Sequence, residues 1–242
     1  VTATVQDSDA KAANGASGSV TSKAFTAAVD DVILIGAFGG YTAAANVSVA
    51  NGTVADGGGT FTTDAVGAPD PDASQQNCGL RISARRLTTA GSYTFTAAST
   101  NEVVAFFLLL RGADPTAFVD SYSLTATGQG TGLQSNAASA VSPAGADDLL
   151  VGFFGSMQFV GATTWTAPSG MTELFDTSSP NGFLTCCADT QVLAASGTTG
   201  TRTAASTRGS GDTINGQARA LVAIKSAAVA GAQTGKMLLA AP

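Results

Sequence analysis

The chain has 242 residues with a net charge of −6, and its densest basic cluster, Arg81, Arg85 and Arg86, is too small to neutralise a nucleic-acid backbone. Charged residues are only 12% of the total and histidine is absent, which excludes Ser-His-Asp and Cys-His catalysis and histidine-ligated zinc. The longest apolar run, Val103 to Leu110, has eight residues, against the roughly 18 of a membrane-spanning helix, so a membrane is not an expected partner.

The start, Val1-Thr2-Ala3-Thr4-Val5, alternates and then turns glycine-rich; residues 1–19 read as an N-terminal extension. Asp30-Asp31 ends a turn and leads into Val32-Ile33-Leu34-Ile35, an apolar run without alternation, the mark of a strand buried on both faces. Gly36 and Gly39 follow, and glycines at such places let a strand bend or bulge. Pro69-Asp70-Pro71-Asp72 is a stiffened turn. Leu80, Ile82 and Ala84 alternate with Arg81, Ser83 and Arg85, as do Tyr93, Phe95 and Ala97 with Thr94, Thr96 and Ala98, which predicts half-exposed strands. Glu102 to Arg111 returns to the core.

The same plan then recurs. Asp147-Asp148-Leu149-Leu150-Val151-Gly152-Phe153-Phe154-Gly155 matches Asp30 to Gly39, taking Gly152 with Gly36. Thr201-Arg202-Thr203-Ala204-Ala205-Ser206-Thr207 agrees with Thr94 to Thr100 at six of seven residues. Gln217 to Lys225 matches the closing strand at Glu102 to Arg111. Repeats of whole strands with unmatched loops predict a tandem duplicated, all-β, antiparallel β-sandwich of jelly-roll or Ig-like type with extended termini. Copy one is expected over 20–113 and copy two over 137–227. Residues 114–136, which include the flexible Gly128-Gln129-Gly130-Thr131-Gly132, are a linker or the first strand of copy two. Residues 228–242 form a C-terminal arm in which Met237, Leu238 and Leu239 are candidate subunit contacts, because burying them on a neighbour would offset the entropy of ordering them.

No chemistry emerges from the motifs. There is no phosphate-binding Gly-Lys-[Ser/Thr] loop and no dinucleotide fingerprint, and three cysteines, Cys78, Cys186 and Cys187, are too few for an all-cysteine zinc site. Their odd count is no disulfide framework and suggests a reducing compartment. No acidic loop has calcium-ligand spacing. No catalytic, cofactor or metal residues are therefore assigned, and the chain reads as a non-enzyme. Asp70 and Asp72 are either turn residues or acids facing a ligand. Trp165, in Thr164-Trp165-Thr166-Ala167-Pro168-Ser169-Gly170, is either half buried against a sheet or a platform for a sugar ring.

The stretch Ala144-Gly145-Ala146-Asp147-Asp148-Leu149-Leu150-Val151-Gly152-Phe153, followed by Trp165 to Leu174, resembles β-sandwich structural proteins of tailed bacteriophage particles, of the capsid-decorating or minor tail and fibre type. The likeness covers residues 143–227 well and 27–113 more loosely; the first copy offers only Gly67-Ala68-Pro69-Asp70 for the Trp-Thr-Ala-Pro-Ser-Gly motif. The resemblance implies a virion subunit assembled in the host cytoplasm, homo-oligomeric, with itself and other virion proteins as partners. The alternative is a carbohydrate- or receptor-binding module on a virion or cell surface, extracellular, with a surface glycan as partner.

Overall fold

The computed structural model describes residues 1–14, 18–40, 49–50, 58–66, 78–99, 101–128, 130–131, 135–158, 164–207 and 213–228. Their regular structure is all strand. The first half contains β1 (Thr4–Ala13), β2 (Ser19–Thr21), β3 (Phe25–Ala27), β4 (Val32–Gly40), β5 (Val49–Ala50), β6 (Thr60–Val66), β7 (Cys78–Arg86), β8 (Gly91–Tyr93), β9 (Thr96–Ser99) and β10 (Glu102–Arg111). The second contains β11 (Val119–Thr127), β12 (Gly130–Thr131), β13 (Ser135–Ala138), β14 (Leu149–Gln158), β15 (Trp165–Thr166), β16 (Thr172–Ser178), β17 (Leu184–Val192), β18 (Arg202–Ser206) and β19 (Thr213–Ile224).

The two halves repeat one antiparallel plan. The first has a large sheet β1-β10-β4-β7-β6 and a small sheet β2-β9-β5; the second has β11-β19-β14-β17-β16 and β13-β18-β15. Within each half the last long strand lies between the first strand and the fourth, two further strands complete the large sheet, and short strands form a second layer, an arrangement akin to a jelly roll. Residues 1–19, expected as an extension, instead supply β1, a full strand of the first large sheet. The stretch 114–136 supplies its counterpart β11. Both strands carry a bulge at the same place, between Val5 and Asp7 and between Val119 and Ser121. The C-terminal arm, with Met237, Leu238 and Leu239, lies outside the described residues.

The paired aspartates build the same turn twice. Asp30 and Asp147 take left-handed backbone, φ 68° and 66°, a conformation Asp tolerates better than most residues. The N–H of Asp30 donates to Leu87 O and the N–H of Leu87 to Asp31 O, as Asp147 does to Leu193 and Leu193 to Asp148. The second acid of each pair is buried and closes the turn by accepting a backbone N–H three residues earlier, from Ala28 and Gly145 respectively.

Four layers of strand enclose three cores. Ile33, Ile35, Phe107 and Leu109 point from the first large sheet toward Val20, Phe25 and Phe95 of its own small sheets. Leu150, Phe154 and Leu221 likewise face Ala138, Trp165 and Ala204 in the second half. The alternate residues, among them Phe38, Phe106 and Leu108 of one half and Val151, Phe153 and Val222 of the other, meet in a central core between the large sheets. Burial on both faces explains why β4, β10 and β14 are continuously apolar. The halves are thus joined face to face rather than strung as separate beads: β4 lies on β14, β10 on β17 and β7 on β19. The edges also meet, β1 near β16 and β6 near β11, where the Phe61 and Tyr122 rings are 4.9 Å apart.

Glycines shape this central seam, and the expectation that they bend the strands is corrected. The pairing of β4 with β10 runs unbroken from Val32 to Gly40. Val32 lies opposite Leu110 and Leu149 opposite Ile224, so Gly36 corresponds to Phe153 and Phe38 to Gly155, not Gly36 to Gly152. Each residue meets its own counterpart across the seam. A Cβ on Gly36 would fall 2.5 Å from the Phe153 ring, and one on Gly155 would fall 2.5 Å from the Phe38 ring. The glycines are sockets for aromatic rings.

Candidate functional site

The Asp-Asp turns stand at the same end of the two large sheets, and their surroundings differ. In the first half Arg111 grips Asp31 through two nitrogens, at 2.9 and 2.8 Å. In the second half the corresponding residue is Lys225, which pairs with Asp114 at 2.9 Å instead. The hydrogen bonds from Lys225 and Thr116 hold the Asp114 carboxyl well below its ordinary range. Asp148 Oδ1 accepts the Ser226 N–H at 2.8 Å, and burial, with the Asp120 carboxylate adding to it, pushes the Asp148 carboxyl up. A cleft of about 290 Å³ opens at this end between Val1, Thr2, Ala146, Asp147 and Ser226 to Ala228. Among the described residues Asp147 is the one side-chain carboxyl in its lining, whereas glycoside hydrolysis needs two across a groove.

A second group of acids surrounds Asp189 on β17. Asp189 is fully buried, and desolvation pushes its carboxyl up to about 7, with Glu173 and Asp176 of the neighbouring β16 adding like charge. Cys187 donates its S–H to Asp189 Oδ2 at 3.5 Å, and Oδ1 has no hydrogen-bond partner. Asp176 accepts the backbone N–H of Trp165 at 2.7 Å; burial raises its carboxyl too. Such a group stores a proton near neutrality. Its sequence signal was an acid inside the run Leu184-Thr185-Cys186-Cys187-Ala188-Asp189, which a reading for paired surface acids passes over.

Of the three candidate ligand residues, Trp165 lies among the described ones. Trp165 as a sugar platform is corrected: its ring is 4% exposed, packed in the second half's own core beside Phe154 and Leu193. An indole with no open face cannot stack on a sugar. Asp70 and Asp72 lie outside the described residues. All three cysteines are free and buried, and burial pushes Cys78 up to about 12 and the other two well above the ordinary thiol range. Thiols held protonated in this way are poor nucleophiles. Glu102 on β10, buried and accepting hydrogen bonds from Ser179 and Asn181 of the β16–β17 turn, ties one half to the other. Among the described residues no group of three metal-ligating side chains is placed to hold an ion.

No family model, no curated protein and no solved structure matches this chain.

Proposed function

We propose that this protein is a non-enzymatic structural subunit of a virus particle, of the capsid-decorating or tail and fibre kind expected for a tailed phage. It is held there by contacts with further copies and with other particle proteins. The observation that carries the reading is a strand order akin to a jelly roll, repeated in both halves and stacked through a common core. Jelly rolls serve as capsid and lectin domains, so the warrant is architectural rather than a constellation of reactive groups. The side chains with unusual chemistry also fit a building role. Asp31, Asp148 and Glu102 close turns or join the halves, and the buried thiols suit assembly in a reducing cytoplasm.

The test is the state of the purified full chain across a range of concentrations, by sedimentation velocity and electron microscopy. The reading expects closed oligomers or larger ordered assemblies. A chain that remains monomeric throughout and binds defined sugars on a glycan array would replace it with a lectin.

A further inference from the structure

Four strands bound the two large sheets: β1, β6, β11 and β16. An edge strand presents a row of unpaired N–H and C=O groups, and proteins block such rows with charges, prolines or bulges. Three of the four edges are blocked in this way. β1 carries Asp7, Asp9 and Lys11, with Lys23 2.6 Å from Asp7 and Lys11 3.4 Å from Asp9. β6 carries Asp64, ion-paired with Arg81. β16 carries Glu173 and Asp176 and a bulge between Glu173 and Phe175.

β11 is the exception along most of its length. Its one charge, Asp120, sits in the bulge at its start and accepts the Ala144 N–H, and from Ser121 to Thr127 it reads Ser-Tyr-Ser-Leu-Thr-Ala-Thr, with no charge, proline or glycine. Its pairing with β19 matches that of β1 with β10: Ser121 lies opposite Ala223 as Asp7 lies opposite Leu109, and Thr125 opposite Arg219 as Lys11 lies opposite Ala105. Ser121, Ser123 and Thr125 therefore stand where β1 has Asp7, Asp9 and Lys11. Leu124 and Ala126 turn to the central core, and Tyr122 is 48% exposed. Among the described residues no backbone hydrogen bond joins β11 to β6.

We infer that the free edge of β11 pairs antiparallel with β11 of a second copy, so that the second large sheet continues through both chains. Unpaired backbone groups recognise an extended strand, and two identical antiparallel strands meet naturally about a two-fold axis. The charged residues of β1 bar the corresponding edge, so each chain offers one such contact and the pairing closes as a dimer. This inference rests on the structural role proposed above and names the contact that role would use.

Three forms of the full chain test it by sedimentation equilibrium: wild type, Thr125→Lys, which installs the lysine that β1 has at the corresponding place, and Thr125→Val. Wild type and Thr125→Val are expected to dimerise alike, and Thr125→Lys to dimerise at least roughly tenfold more weakly. Hydrogen exchange on the wild type gives a second readout that needs no variant: amides of 121–127 should be protected at concentrations where the chain associates and exposed where it does not. A wild type that associates while Thr125→Lys associates equally, or whose 121–127 amides are no slower in the associated form, overturns the β11 contact and leaves the structural role standing. A wild type that is monomeric at every concentration overturns both.

Discussion

On the face where the large sheets meet, the first half places Gly36 and Phe38, and the second places Phe153 and Gly155 at the corresponding positions. Bulk and space are exchanged between the halves. Two copies of the first half would set glycine against glycine and phenylalanine against phenylalanine, leaving a void and a clash side by side. The halves also differ in their charges: Asp31 has Arg111, whereas Asp148 has no guanidinium and the corresponding Lys225 serves Asp114. They differ again on β7 and β17, where Ser83 and Asp189 occupy matching places opposite Ile35 and Gly152. At the seam the glycine–phenylalanine exchange fits a shared strand order with complementary rather than identical surfaces, which favours the union of unlike halves over pairing of like ones.

The largest expected effect breaks the seam. Phe153→Ala should cost about 3–5 kcal/mol in a denaturant titration, because it empties a fully buried ring site. The exchange Gly36→Phe with Phe153→Gly sharpens the comparison. Moving the ring to the other side of the same socket should recover about 0.5–3 kcal/mol relative to the sum of the single changes. Strict additivity would mean that the two positions do not interlock.

Next comes the acid that only the second half buries. In the unfolded chain Asp189 loses its proton near the ordinary carboxyl value of 3.8, and in the fold it keeps it until about pH 7. Between these values the folded state binds more protons, so stability falls as pH rises from about 4 to about 7 and levels off above. Asp189→Ser, which installs the residue of the first half, should flatten this slope and stabilise the chain at pH 8 by on the order of 1–4 kcal/mol. A thermal melt series against pH that keeps the wild-type slope in the variant would assign the slope elsewhere.

Smaller effects separate the two turns. Arg111→Met leaves the buried Asp31 carboxylate without its bidentate partner, whereas Lys225→Met frees an aspartate at the surface side of the turn. The first should lower the melting temperature clearly more than the second; equal shifts would erase the distinction between the turns. Smallest is Trp165→Phe. The indole N–H is buried without a partner, so a ring lacking it should cost under about 1.5 kcal/mol.

The strands were legible because their signals are local. The apolar runs after Asp30-Asp31 and Asp147-Asp148, the alternation at Leu80 to Arg85 and the repeated Thr-Ala-Ala-Ser-Thr all report burial of individual strands. What they could not report is which surface covers each face. Unbroken burial in β4 and β14 is compatible with two separate sandwiches, and only the facing of Gly36 on Phe153 reveals one seam between them. Matching Gly36 to Gly152 by type hid this, since the meaningful partner of a glycine socket is the ring that fills it. Trp165 stayed undecided for a similar reason. Its flanking Thr, Pro, Ser and Gly left a half-buried ring and a sugar platform both open, and it is the pairing of β15 with β18 that carries the ring inward. The open edge at β11 was present in the sequence as an absence of charge, and it acquires meaning only when the register places Thr125 where Lys11 stands.

Calorimetry tests the shared seam most directly. If the halves are held by one central core, the full chain should unfold in a single transition whose calorimetric and van't Hoff enthalpies agree, and Phe153→Ala should move that whole transition downward. Two separable transitions, with Phe153→Ala shifting only the one that belongs to the second half, would contradict the account.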